Sequence, residues 1–197
     1  MLIPDVSDPI ALFDTWLREA RQAGVPLPES MALATIAPGG QPSVRMVLLK
    51  HADSDGFVFY TNINSRKAAD LKANPRAALC FHWPELGRQV RVEGSVTPVS
   101  GAEADAYFAT RPRESQLGAW ASPQSSVLSS REELELRFSR AGLEYQGRDV
   151  PRPPFWSGCR LRPAQIEFWK ELPNRLHDRV LYIRALAGGW AAQRLYP

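Results

Sequence analysis

The chain has 197 residues, 44% of them hydrophobic and 23% charged, with a net charge of +3. A length and composition of this kind lead us to expect one domain over residues 1–197 with its own buried core. The basic residues are spread along the chain rather than gathered in a block, which argues against nucleic acid and for small anionic ligands. No apolar run is long enough to cross a membrane and the first ten residues lack a signal-peptide pattern, so a cytoplasmic protein is expected by elimination.

Asp8-Pro9 opens an amphipathic helix over about 8–23, with Ala11, Leu12, Trp16, Leu17 and Ala20 at helical spacing and Gly24 as its stop. Strands are predicted over 31–37 and 43–50, around the turn Pro38-Gly39-Gly40. A turn over 53–56 precedes the aromatic strand 57–61, and a helix over 65–73 stops before Asn74-Pro75. Further strands are expected near 77–83 and 88–98, and helices over 100–110 and about 130–144. The proline-rich stretch 151–154 is a rigid connector, and the last part, about 157–197, reads as strands near 157–169, 179–185 and 190–195. Short strands with turn signals, interrupted by helices, predict a mainly β fold with helices (α+β), a β-barrel decorated by helices. Cys80 and Cys159 lack partner spacing and read as buried free thiols in a reducing compartment. His51, His82 and His177 lack ligand spacing, so no metal is expected.

Several short stretches carry chemistry. Arg45-Met46-Val47-Leu48-Leu49-Lys50 puts two cations on a strand, whose alternation sends Arg45 and Lys50 to opposite faces unless a bulge intervenes. That suits two anionic groups, though cations at the ends of an apolar strand are also common without function. Tyr60-Thr61-Asn62-Ile63-Asn64-Ser65-Arg66-Lys67 leads from a strand into a helix with Ser65 as N-cap. Cations in a first turn oppose the helix dipole. A phosphate held by the free N–H groups and both side chains would offset that cost.

In the run from Tyr107 to Ser115, Tyr107 and Arg111 stand four apart on a helix, and Ser115 lies just past Pro112 where the chain turns. Phenol, guanidinium and hydroxyl together suit a phosphate monoester, and a helix end stabilised by arginine fits equally. Gln89 and Gln124-Ser125-Ser126 add amide and hydroxyl donors for a polar heterocycle. Arg175-Leu176-His177-Asp178-Arg179 flanks a titratable imidazole with two arginines, shortly after Phe168-Trp169. Taken alone, this pentad fits a solvated loop with one internal ion pair to Asp178 at least as well.

Together, and in this order, the motifs resemble the pyridoxamine 5′-phosphate oxidase family from about residue 8 to the C-terminus. Arg88-Gln89-Val90, Gln116-Leu117-Gly118-Ala119-Trp120 and Ile166-Glu167-Phe168-Trp169 complete the pattern. The resemblance implies an FMN-binding split barrel that works as a homodimer with the flavin at the subunit interface. It assigns Arg45, Arg66, Lys67, Gln124 and Ser125 to the FMN phosphate and ribityl chain, with Met46, Val47, Leu48, Leu49 and Lys50 also among the cofactor-binding residues. Tyr60, Thr61, Gln89, Trp169 and Arg179 would surround the rest of the cofactor. Lys50, Tyr107, Arg111 and Ser115 would take the substrate phosphate, and Arg175 and His177 would lie over the pyridine ring as the catalytic pair.

The implied reaction oxidises pyridoxamine or pyridoxine 5′-phosphate to pyridoxal 5′-phosphate, with O2 as electron acceptor. One departure is expected, because the chain begins too close to Asp8 to carry the basic, tyrosine-containing arm of many members. Two rivals remain at this level: a split-barrel flavoenzyme acting on a phenazine precursor, and a non-catalytic FMN-binding or stress-related module.

Overall fold

Asp8 Oδ1 accepts the N–H of Ile10 at 2.9 Å and Pro9 presets the first helical φ, so helix α1 runs from Pro9 to Gln22. Gly24, at φ +74°, turns the chain out of the helix. The computed structural model describes residues 2–197. Among these, nine strands form one antiparallel sheet: β1 (Ser30–Ile36), β2 (Pro42–Leu48), β3 (His51–Asp53), β4 (Gly56–Asn62), β5 (Arg76–Trp83), β6 (Arg88–Pro98), β7 (Trp156–Lys170), β8 (Asp178–Arg184) and β9 (Trp190–Arg194). The order is β2-β1-β5-β6-β7-β4-β3, with β8 paired to β7 and β9 to β8. Helices α2 (Arg66–Ala73), α3 (Gly101–Ala109), α4 (Arg113–Ala121) and α5 (Arg131–Glu144) decorate the curled sheet, as the α+β reading expects. No helix among the described residues is long and apolar enough to cross a membrane.

The 15-residue β7 organises the sheet. Its first part pairs with β4 from Trp156 to Leu161, and its second part with β8 from Gln165 to Lys170. Strand β6 follows β7 on the other side from Cys159 to Lys170. Pro163, which has no N–H to donate, stands between the two partners of β7. A register shift at Glu93/Gly94 faces it, and a Cβ on Gly94 would meet Arg162 O at 1.9 Å, so only glycine fits there.

The main core joins the buried stripe of α1 to the inward residues of the strands. Phe13 is fully buried, 4.9 Å from Phe57 in an edge-on contact and 4.8 Å from Phe81. A second, smaller cluster forms where Phe108 of α3, Leu117 of α4 and Ala141 of α5 meet Trp156. This helical layer stands over the first part of β7 and forms one wall of the site described below.

Two elements were not expected. β3 has three residues, too few to show alternation, and pairs with β4 across a turn in which Asp53 Oδ1 accepts the N–H groups of Asp55 and Gly56. α4 begins directly after Pro112, whose φ of −52° starts a helix as readily as it ends one. Its buried residues are only Leu117 and Ala121, too sparse a stripe to read as periodic. Cys80 and Cys159 are free but half-buried rather than fully buried. Desolvation pushes the Cys80 thiol up and the Cys159 thiol up to about 11, so both resist ionisation.

Replacing Phe13 by Ala removes the ring that joins α1 to β4 and β5, and is expected to cost about 3–5 kcal/mol of stability. Chemical denaturation of the two proteins measures this, and a loss below about 1 kcal/mol would show that the cluster relaxes around the gap.

Candidate functional site

Strand β2, the first turn of α2, the segment from Tyr107 to Ser115 and the loop after α4 enclose a cleft of about 1000 Å³. Arg45, Lys50, Arg66, Lys67 and Arg111 all line it, and among the described residues no Asp or Glu does. Five cations facing one space without an anion is an unfavourable arrangement that a bound anion would relieve.

The first group of cations sits at the start of α2. Lys67 is only 9% exposed, and its Nζ donates to Gln124 Oε1 at 2.8 Å, Thr61 Oγ1 at 3.1 Å and Ser65 Oγ at 3.3 Å. All three acceptors are neutral. Burial, with the Arg45 guanidinium nearby, pulls the ammonium below its ordinary value. Ser65 stands at the N-cap as expected, but its hydroxyl receives Lys67 instead of capping the helix. The N–H groups of Arg66 and Lys67 have no partner among the described residues, as the expected cradle requires.

Arg45 is held from behind by Thr35 Oγ1 at 2.6 Å and Ser43 Oγ at 2.9 Å, with the buried Asp70 carboxylate 3.6 Å away. Thr35 also donates to Asp70 at 2.7 Å. Asp70 and Thr35 were missed by sequence reasoning. The one available signal was that Asp70 falls four residues after Arg66, on the same helix face.

The second group is Lys50, Tyr107, Arg111 and Ser115, all on the same cleft. Arg45 and Lys50 were expected on opposite faces, but β2 ends at Leu48 and the Lys50 N–H donates to Val58 O. Both cations nevertheless line one cleft, because it takes residues of both faces of edge strand β2, Met46 and Leu48 as well as Arg45 and Val47. Tyr107 and Arg111 were expected on one helix face. α3 stops at Ala109, and Arg111 enters the cleft from the turn beyond. Ser115 lies inside α4 rather than in a turn.

Tyr60 stacks on Tyr107 at 4.1 Å and on Trp156 at 5.0 Å, and the Arg111 guanidinium lies 4.8 Å over the Trp156 ring. Trp156, another residue missed by sequence reasoning, is placed by its register with Asn62. Arg111 Nη1 is buried and has no hydrogen-bond partner among the described residues, and burial lowers the pKa of this guanidinium.

Met46, Val47, Leu48, Tyr60, Thr61, Gln124 and Ser125 also line this cleft, with Ser125 at φ +74°. Leu49 does not, being 4% exposed in the core. The remaining candidates gather elsewhere. Gln89, Trp169 and Arg179 form one row across β6, β7 and β8, each directly opposite the next. Trp169, Arg175 and His177 line a second cleft of about 570 Å³ with His82. There the Leu172 N–H donates to His177 Nδ1 at 3.2 Å, which leaves the proton of the neutral imidazole on Nε2. Asn174 and Arg175 both have positive φ, at 59° and 61°.

The pentad has no internal ion pair. Arg179 binds Glu167 at 2.8 Å, and Asp178 binds Arg194. One chain therefore brings fourteen of the candidates to one cleft and sets Gln89, Trp169, Arg175, His177 and Arg179 apart on the sheet.

Comparison with known proteins gives a consistent answer. Residues 17–144 match the family model described as pyridoxamine 5′-phosphate oxidase, and residues 156–197 match the pyridoxine 5′-phosphate oxidase C-terminal dimerisation region. The pyridoxine/pyridoxamine 5′-phosphate oxidase of Sphingopyxis alaskensis is 57% identical over 190 residues, covering 96% of this chain and 88% of its own. That of Rhodospirillum rubrum is 57% identical over 195 residues, covering 96% of each chain. Among solved structures, PhzG from Burkholderia lata, in complex with tetrahydrophenazine-1-carboxylic acid, superposes with a TM-score of 0.92 at 33% identity, covering 98% of this chain and 94% of that one. An FMN-binding protein of Nostoc punctiforme shares the fold, with a TM-score of 0.76 at 20% identity and coverage of 96% and 98%.

The ring stack makes a pH prediction. Burial first, and then Glu103 and Tyr107, raise the Tyr60 phenol to about 12 from an ordinary value of 10.0. The folded state thus holds a proton that the unfolded chain releases near pH 10. The stabilisation is full below pH 10 and is lost as pH rises toward 12. Wild type is therefore expected to lose stability more steeply than Tyr60→Phe between pH 10 and 12. Parallel denaturation midpoints over that range would refute the assignment.

Proposed function

This chain belongs to the pyridoxamine 5′-phosphate oxidase family and is an oxidoreductase, and from that premise we propose that it oxidises pyridoxamine or pyridoxine 5′-phosphate to pyridoxal 5′-phosphate with FMN as cofactor, in vitamin B6 metabolism. Dioxygen is the electron acceptor in this reading, giving H2O2, with ammonia released from the amine. The observation that carries it is the cleft with five cations and no carboxylate. Two anionic groups account for that charge, and the residues divide into two sets that suit two phosphates.

The fit to FMN rests on the donors. Lys67 is buried against neutral acceptors, the N–H groups of Arg66 and Lys67 are unpaired, and Gln124 and Thr61 stand beside them. These groups would hold the phosphate and ribityl chain, with Arg45 fixed behind them by Asp70 and Thr35. Bound FMN would supply hydride acceptance at its N5. The substrate phosphate falls to Lys50, Tyr107, Ser115 and the unpaired Nη1 of Arg111.

Arg175 and His177 act on the substrate ring in this reading, Arg175 as a clamp that stabilises developing charge and His177 through its Nε2–H as a hydrogen-bond donor. Holding the ring in place contributes proximity, which in favourable cases is worth about 7–11 kcal/mol. Their separation from the cleft within one chain favours a homodimer in which the half-site of one protomer closes on the cleft of its partner. The family's C-terminal dimerisation region spans β7, β8 and β9. Val44 and Met46, 68% and 63% exposed on edge strand β2 beside the cleft, offer apolar surface for such a contact. The whole chain acts as one domain, and a reducing cytoplasm suits its two free thiols.

Lys67→Ala should weaken FMN retention on the order of 10- to 100-fold, the loss of about 1.5–3 kcal/mol typical of a charge-assisted contact. Flavin fluorescence on dialysis measures it, and undiminished retention would place the α2 turn outside the site. Arg175→Ala should lower turnover with pyridoxine 5′-phosphate while FMN content stays unchanged. A fully active variant, or an apoprotein, would remove Arg175 from the reaction. Anaerobic addition of pyridoxamine 5′-phosphate should bleach the visible flavin band. Bleaching by a reduced phenazine carboxylate alone would move the substrate to the class bound by the Burkholderia lata structure.

A further inference from the structure

We propose that Asp178 is a positioning residue that binds the N-terminal segment to the strand bearing the Arg175–His177 loop, so that the two ends of the chain together hold that loop in its working shape. The proposal rests on the reading of Arg175 and His177 given above. Asp178 is the residue after His177 and the first of β8, and it is 8% exposed. Its Oδ2 accepts the N–H of Ile3 at 2.6 Å across 175 positions of sequence, and its Oδ1 accepts from Arg194 Nη1. Arg194 Nη2 returns to Ile3 O at 3.1 Å. One carboxylate and one guanidinium thus grip both polar groups of a single peptide residue. Ile3 is 2% exposed and packs in the main core, so the carboxylate side of the ring is buried, while the Arg194 side chain is half exposed.

The loop has reason to need this grip. Asn174 and Arg175 both occupy the left-handed region, which Asn tolerates but which a long side chain such as Arg175 holds only when its surroundings enforce it. On one side the Glu171 N–H is fixed to Gly87 O at 2.8 Å, and the Leu172 N–H reaches across the loop to His177 Nδ1. On the other side the chain re-enters the sheet at Asp178, opposite Lys170. The carboxylate lies where the strained segment ends, and it does not reach the second cleft. Its effect therefore passes through the backbone of His177, and what it holds is the loop geometry that keeps the Leu172 N–H on His177 Nδ1.

The test compares the FMN-loaded wild type with Asp178→Asn, with a variant lacking residues 1–6 and with Arg175→Ala. Turnover of pyridoxine 5′-phosphate is measured alongside 15N NMR of labelled histidine. In Asp178→Asn and in the truncated protein, kcat is expected to fall about tenfold, as loss of one charge-assisted hydrogen bond allows. FMN content should be unchanged, and the separate Nδ1 and Nε2 signals of His177 should merge toward a tautomer average. A lower Tm with kcat and the His177 signals unchanged would reduce Asp178 to a stability role and overturn the proposal. Should Asp178→Asn fail to fold, Arg194→Gln, which leaves the Ile3 contact to the carboxylate, carries the same test. If Arg175→Ala keeps full turnover, it is the reading of the loop that fails, whereas an effect of Arg175→Ala without one of Asp178→Asn refutes the clamp alone.

Discussion

Positive charge that the chain does not neutralise is the constraint to which the rest of this structure answers. Lys67 is buried and has only neutral oxygens for partners, and Arg111 buries a nitrogen with no partner. Arg45 has a carboxylate behind it, in Asp70. Such groups cost free energy in the folded protein unless something anionic arrives. They stay in place because rigid elements hold them: a paired strand, the first turn of a helix, and a stack of three aromatic rings. The core around Phe13 and the helical layer around Trp156 provide the stability against which this cost is set.

The long strand β7 decides how the remaining functional groups are distributed. Its first part supports Tyr60 and Trp156 through pairing with β4, next to the cationic cleft. Its second part carries Trp169 in a row with Gln89 and Arg179, next to the Arg175–His177 loop. Pro163 and the bulge at Gly94 mark the change of partner. The two groups are thus built on the same strand but lie on different parts of it, as the homodimer proposed above, with each site completed by two protomers, requires.

Helix α1 and most of the strands were legible because each has a local signal: a cap and an apolar stripe in α1, alternation in β1, turn residues between the strands. Both cationic groups were legible as residue types. Their convergence was not, since alternation along β2 predicted that Arg45 and Lys50 would diverge. The cleft wraps the edge strand β2 and takes side chains from both of its faces, so both cations line it. Ser115 was placed in a turn because α4 has too few buried apolar residues to announce itself. Trp156, Asp70 and Thr35 carry no motif, and they matter only through register and burial.

The sequence by itself determined the set of chemical groups: which cations, amides and rings exist, in what order, and that they follow the pattern of one flavoenzyme family. It could do so because residue identity and local spacing fix donor type, charge and secondary-structure preference. Tertiary structure alone decided which of those groups share a space, since pairing between strands distant in sequence sets the neighbours of each side chain. It put Lys50 and Arg45 on one cleft, left Leu49 in the core, set Arg175 and His177 apart from that cleft, and joined Asp178 to Ile3, 175 positions away in sequence.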